Sequence, residues 1–96
     1  MTREEIISRI RERENELRRL GVARLSLFGS VARNEPGQAS DVDLLVAFEG
    51  KVDYDRYVTV KFFLEDLLGK PVDLVMETAL KPRIRRRVES EMIRVA

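Results

Sequence analysis

The stretch that most limits what this chain can fold into is Asp-Val-Asp-Leu-Leu-Val-Ala-Phe, residues 41–48. After its acidic start it is an unbroken apolar run, the pattern of a strand covered on both faces. Residues two apart in a strand point to the same side, so Asp41 and Asp43 project together from one face. Two unpaired carboxylates so placed repel each other, and one tends to keep its proton. Folding alone gives no reason to open a buried strand this way. A divalent cation removes the conflict, since magnesium is commonly held by one or two carboxylates together with substrate phosphates.

The elements around this strand follow from periodicity and punctuation. Thr2 with Glu5 reads as a capping box opening a helix to about Leu20, with Ile6, Ile7, Ile10, Leu17 and Leu20 on one face and Gly21 as its stop. Val22 to Phe28 alternates as a strand and ends at Gly29-Ser30. The segment that follows holds one helical turn and then a loop around Pro36-Gly37. Asp53 or Asp55 caps a helix from about Tyr54 to Leu68 carrying Tyr57, Val58, Phe62, Leu64 and Leu67, and Gly69 with Pro71 ends it. Tyr54 and Tyr57 read as ordinary helix packing. Pro71 to Met76 is a third strand. Pro82 suits the first turn of a last helix with Ile84, Val88, Met92 and Val95 at near-helical spacing.

The expected fold is therefore an α/β (α+β) domain spanning residues 1–96, a small mixed three-stranded sheet packed with helices in the order α-β-(short α)-β-α-β-α. Gly29-Ser30 closes strand one and Asp41 and Asp43 open strand two, so these groups meet only if the two strands run antiparallel. The helix between strands two and three suits a parallel crossover. Asp73, at the start of strand three, then reaches the same edge.

Composition narrows the chemistry. There is no cysteine and no histidine, which excludes disulfides, thiolate sites, imidazole ligands and Ser-His or Cys-His catalysis. A metal must be held by oxygen, which points to magnesium, manganese or calcium. The 18 basic and 17 acidic residues nearly cancel, which argues against nucleic acid or a membrane as partner. The charged N-terminal stretch lacks the apolar core of a signal peptide, and a cytoplasmic location is expected.

Singly, each candidate residue has an ordinary explanation: Gly29 a turn glycine, Asp41 a loop or cap residue, Asp73 a salt-bridge partner, Arg33 a solvated cation. Their conjunction is what points to chemistry. Gly29 lets a phosphate approach the backbone, Ser30 offers a hydroxyl and N–H donors, and Arg33 adds positive charge. Phosphate donors facing a metal-binding acidic cluster of Asp41, Asp43 and Asp73 is the layout of phosphoryl or nucleotidyl transfer, with two metal ions and Asp73 assisting the acceptor hydroxyl.

These residues carry a resemblance. Gly29-Ser30, ten intervening residues, Asp41-x-Asp43, and the later Asp73 resemble the signature of the minimal nucleotidyltransferases, within the DNA-polymerase-beta-like nucleotidyltransferase superfamily. The element order agrees from about residue 3 to 95. The resemblance implies an enzyme using ATP or another NTP with two magnesium ions. It implies Asp41, Asp43 and Asp73 as catalytic metal ligands and Gly29, Ser30 and Arg33 as nucleotide contacts. It further implies a HEPN-type toxin as partner, the chain acting as antitoxin by transferring AMP to a partner tyrosine. Asn34 departs from the glycine that many relatives carry, but asparagine also tolerates positive φ. The sequence leaves open a binding module that neutralises its partner by complex formation, and a homodimer or hetero-complex. The basic run Lys81 to Arg87 reads as a solvated face, with an RNA or acidic-partner patch as the alternative.

Overall fold

The computed structural model describes residues 1–34 and 41–96, and the expected loop around Pro36-Gly37 lies outside them. Helix α1 (Arg3–Glu12) opens on the expected capping box. Thr2 Oγ1 accepts the Glu5 N–H at 3.1 Å, and Glu5 Oε1 accepts the Thr2 N–H at 3.1 Å. The single helix expected to Leu20 is broken at Arg13 (φ −110°, ψ 20°), and a short helix α2 (Glu14–Arg19) follows. Arg11 to Glu16 is a run without an apolar residue, so no packing holds the helix straight there, and the break turns Leu17 into the core.

The sheet has four strands: β1 (Val22–Phe28), β2 (Val42–Phe48), β3 (Val72–Met76) and β4 (Ile93–Arg94). Their order is β3-β2-β1-β4, with β1 antiparallel to β2 and β4 and with β2 parallel to β3. The mixed sheet is as expected; the fourth strand corrects the expected three. The last helix, α5 (Pro82–Glu91), does not run on through Val95. Met92 turns to extended backbone, Ile93 and Arg94 pair with Leu27 and Ser26, and the Val95 N–H donates to Leu25 O at 2.8 Å. The free edge of β1 would otherwise leave backbone groups unpaired, and pairing it also sinks Val95 and Ala96 into the core. The helical spacing of Ile84 was misleading, as it is 49% exposed.

One face of the sheet carries Leu25, Leu27, Leu44, Val46 and Leu74 into a core shared with Ile6, Ile10 and Leu17. Helix α4 (Tyr54–Leu68) adds Val60, Leu64 and Leu68, with Tyr57, Phe63 and Leu67 partly buried beside them. Asp53 caps it, its Oδ1 accepting the Arg56 N–H at 2.8 Å, and Gly69 ends it at φ 64°. Phe62 and Tyr54 do not pack as expected, being 57% and 78% exposed. The stripe through 57, 60, 64 and 67–68 defines the buried side, and Phe62 lies about half a turn from it. Among the described residues no helix is long and apolar enough to cross a membrane.

Helix α4 also closes an edge strand. Glu65 Oε2 accepts the Val72 N–H at 2.9 Å, and the Tyr57 hydroxyl donates to the Leu74 carbonyl. Side chains thus occupy backbone groups of β3 that would otherwise invite another strand. Tyr57→Phe is expected to cost about 0.5–1.5 kcal/mol of stability, the net worth of one such bond, measured as a lower urea midpoint at unchanged slope.

Candidate active site

Strand register assembles the site. Phe28, the last residue of β1, lies opposite Asp43 in the antiparallel pair, and Asp43 lies beside Asp73 in the parallel pair. The end of β1 and the starts of β2 and β3 therefore share one edge, as the sequence pattern required. Strand alternation points Asp43 away from the core face on which Leu44 is buried. Asp73 is exposed, Asp43 half-buried, and Asp41 exposed just ahead of β2.

Immediately after β1 the chain turns into a four-residue helix, α3 (Gly29–Ala32). Gly29 has φ 75°, a region that side chains disfavour. A Cβ built there would overlap Asp43 Oδ2 and stand 3.0 Å from Asp43 Cγ. The glycine is thus required by the approach of the Asp43 carboxylate to the backbone, and Ser30 follows at the same edge. Asn34 adopts φ 57°, the conformation a glycine would otherwise supply, and its N–H closes on Val31 O at 2.9 Å.

The electrostatics are those of crowded carboxylates. Burial raises the Asp43 carboxyl above its ordinary range, and the charges of Asp73 and Asp41 and a hydrogen bond with Asp73 add to that, while Arg33 offsets part of it. Arg33 Nη1 also bonds Glu91 Oε2 of α5 at 2.9 Å. Arg3 Nη1 donates to the Ala32 carbonyl at 2.9 Å, a cation at the C-terminal end of α3. Neither Arg3 nor Glu91 could be found from spacing, because only the return of the N- and C-terminal helices to this edge brings them there.

The structure brings Asp43 and Asp73 together as a pair, with Asp41 close enough for its charge to be felt. Among the described residues no group of three or more carboxylate, thiol or imidazole side chains is gathered tightly enough to hold a metal ion by itself. A repelling pair of oxygen ligands facing a backbone notch fits magnesium, which usually retains waters and completes its shell with substrate phosphate oxygens.

The sequence profile of the nucleotidyltransferase domain matches residues 7–95. The chain is 42% identical over 96 residues to the protein adenylyltransferase MntA of Thermococcus cleftensis, an alignment covering 99% of this chain and 97% of that one. A solved structure provisionally described as a minimal nucleotidyltransferase superposes with a TM-score of 0.83 at 42% identity, covering 97% of this chain and 95% of that one. The tri-AMPylated Shewanella oneidensis HEPN toxin in complex with MNT antitoxin contains a chain of the same fold. Its TM-score is 0.60 at 19% identity, over 91% of this chain and 71% of that one.

Two expectations follow from the geometry. Gly29→Ala forces either the backbone or the Asp43 carboxylate to move, so it should abolish nucleotide binding and lower stability by about 1–3 kcal/mol, the usual cost of a strained positive φ. Binding by calorimetry and a urea melt would report both. The raised Asp43 pKa means that the folded protein binds this proton more tightly than the unfolded chain does. Its contribution to stability is whole below the unfolded value of about 3.9 and is lost as pH rises through the folded one. In metal-free buffer Asp43→Asn should therefore melt higher than the parent at neutral pH, with the gap closing as pH falls toward about 4.

Proposed function

This chain is a nucleotidyltransferase that belongs to the nucleotidyltransferase domain family, and on that premise we propose that it transfers AMP from ATP to a tyrosine hydroxyl of a HEPN-type partner. The observation that carries the chemistry is the in-register Asp43–Asp73 pair with Gly29 pressed against it. The protein acceptor is supported by the adenylyltransferase relative, and the HEPN partner by the AMPylated toxin whose complex shares this fold.

In such a transfer the acceptor oxygen attacks the α-phosphorus, a new P–O bond forms, the bond to pyrophosphate breaks, and the hydroxyl proton is lost. Gly29 leaves room for the triphosphate at the backbone, and Ser30 donates to its β- and γ-phosphates. Arg33 contributes positive charge at the same edge, where its field is already felt by Asp43. Asp73, exposed at the start of β3, takes the proton from an incoming hydroxyl in this reading. Asp41, Asp43 and Asp73 would hold magnesium, which when bound neutralises phosphate charge and favours the ionised acceptor. The site is an open edge rather than a cavity, so the acceptor protein supplies its other wall. In this reading residues 1–96 act as one domain in the cytoplasm, as the antitoxin of the pair.

The test is transfer of label from ATP labelled at the α-phosphorus to a HEPN-type partner, with the modified residue located by mass spectrometry. Label is expected on a partner tyrosine, and Asp43→Asn or Asp73→Asn should each lower the rate by about a hundredfold or more. A stable complex with no transfer from any nucleoside triphosphate would instead support neutralisation by occlusion.

A further inference from the structure

Helix α5 breaks the charge rule that α1 and α2 keep. Helices α1 and α2 carry Glu4, Glu5, Glu14 and Glu16 in their first turns and Arg9, Arg11, Arg18 and Arg19 in their last, as the helix dipole favours. Helix α5 has no acid in its first turn and no base in its last. Arg83, Arg86 and Arg87 are exposed and stand at i, i+3 and i+4, on the side of the helix away from buried Val88. Among the described residues none of these three guanidinium groups makes a hydrogen bond or ion pair. Other arginines are tied: Arg24 to Glu77, Arg13 to Glu16, Arg56 to the carbonyls of Glu49 and Lys51. Like charges at this spacing, near a helix N-terminus, oppose the helix that bears them. A counter-charge from outside the chain relieves that opposition.

The position of α5 says where that counter-charge would come from. Arg85, early in the helix, donates to Glu77 O beyond the far end of β3, and Glu91, late in it, pairs with Arg33 at the catalytic end. The helix thus runs the length of the sheet. Leu45 shares the face of Asp43 by strand alternation and is only 2% exposed, yet it and Val88 are the buried apolar residues that stand outside the main core. Helix α5 buries Val88 and packs on α3 at the end of the sheet that bears the carboxylates. A macromolecule presenting a hydroxyl to Asp43 and Asp73 approaches the face that α5 flanks.

We propose that the outer face of α5, Arg83, Arg86 and Arg87, docks an acidic segment of the acceptor protein. This rests on the reading that the acceptor is a protein. Guanidinium groups match carboxylates in bidentate pairs, and three of them within about one helical turn fit a short acidic run. Nucleic acid is the poorer occupant: α5 carries no aromatic side chain for bases to stack on, and the formal net charge is only +1.

The experiment uses the full chain, a HEPN-type partner protein, and the variants R83E/R86E/R87E, R83K/R86K/R87K and the single Arg87→Glu. Partner affinity is read by calorimetry at low and physiological salt, and ATP–magnesium affinity is read separately. Charge reversal should weaken the complex by about tenfold or more and flatten its salt dependence, the lysine variant should keep most of the affinity, and Arg87→Glu should fall between. ATP binding should stay within about twofold of the parent, since these side chains lie outside the nucleotide edge. Unchanged partner affinity in all three variants overturns the proposal. So does loss of ATP binding on reversal, which would make the arginines nucleotide ligands, or displacement of the partner by single-stranded oligouridylate. A parent chain that binds the partner but transfers no label overturns the transfer reading and leaves the docking face standing.

Discussion

The Asp43 carboxylate lies against the backbone of Gly29, and the rest of the carboxylate edge is arranged around that contact. For it to exist, β1 must end at Phe28 opposite Asp43, and the next residue must lack a Cβ and take a positive φ. The parallel pairing of β2 and β3 then sets Asp73 beside Asp43 with no further device. A one-residue slip in either pairing would turn one carboxylate into the core face, so the apolar residues Leu44, Val46 and Leu74 that fix the register also fix the site. Stability and chemistry are coupled through strand alternation, and the repulsion stored in the carboxylates is the local cost.

The two faces of the sheet divide the work. Helices α1, α2 and α4 bury one face in a conventional aliphatic core, and side chains of α4 also occupy backbone groups of the β3 edge. The other face holds the carboxylates at one end and buried Leu45 in the middle, and α5 meets α3 beside the carboxylates. That helix is pinned by single polar contacts, Arg85 to Glu77 O and Glu91 to Arg33, rather than by the main core. Its last contact reaches the arginine whose charge bears on Asp43, so α5 is tied to the carboxylate edge.

Much of this was legible in the chain itself because it was written in local chemistry. The capping box at Thr2, the Asp53 cap, the Gly69 stop and the apolar run after Asp43 each declare an element through neighbouring residues alone. Asn34 was legible for the same reason, since asparagine is among the few residues that enter the left-handed region. The misreadings had non-local causes. The break at Arg13 depends on where Leu17 finds the core. Phe62 is apolar but faces outward because the neighbours that bury α4 approach from the side of Val60 and Leu64. Residues 92–95 fit a helical period and a strand alike, and the open edge of β1 decided between them.

By itself, then, the sequence determined which candidate residues stand together at one edge and the order of most of the elements that carry them. Gly29, Ser30, Asp41, Asp43 and Asp73 stand at strand ends, where short-range rules of periodicity and turn chemistry apply. Only the tertiary structure decided what surrounds them. The fourth strand, the Arg3 bond to α3, the Glu91 bond to Arg33, and the packing of α5 on α3 all join residues far apart in the chain. Such contacts form because unpaired backbone groups, buried charges and uncovered apolar surface must each find a partner somewhere, and no local pattern says which partner lies within reach.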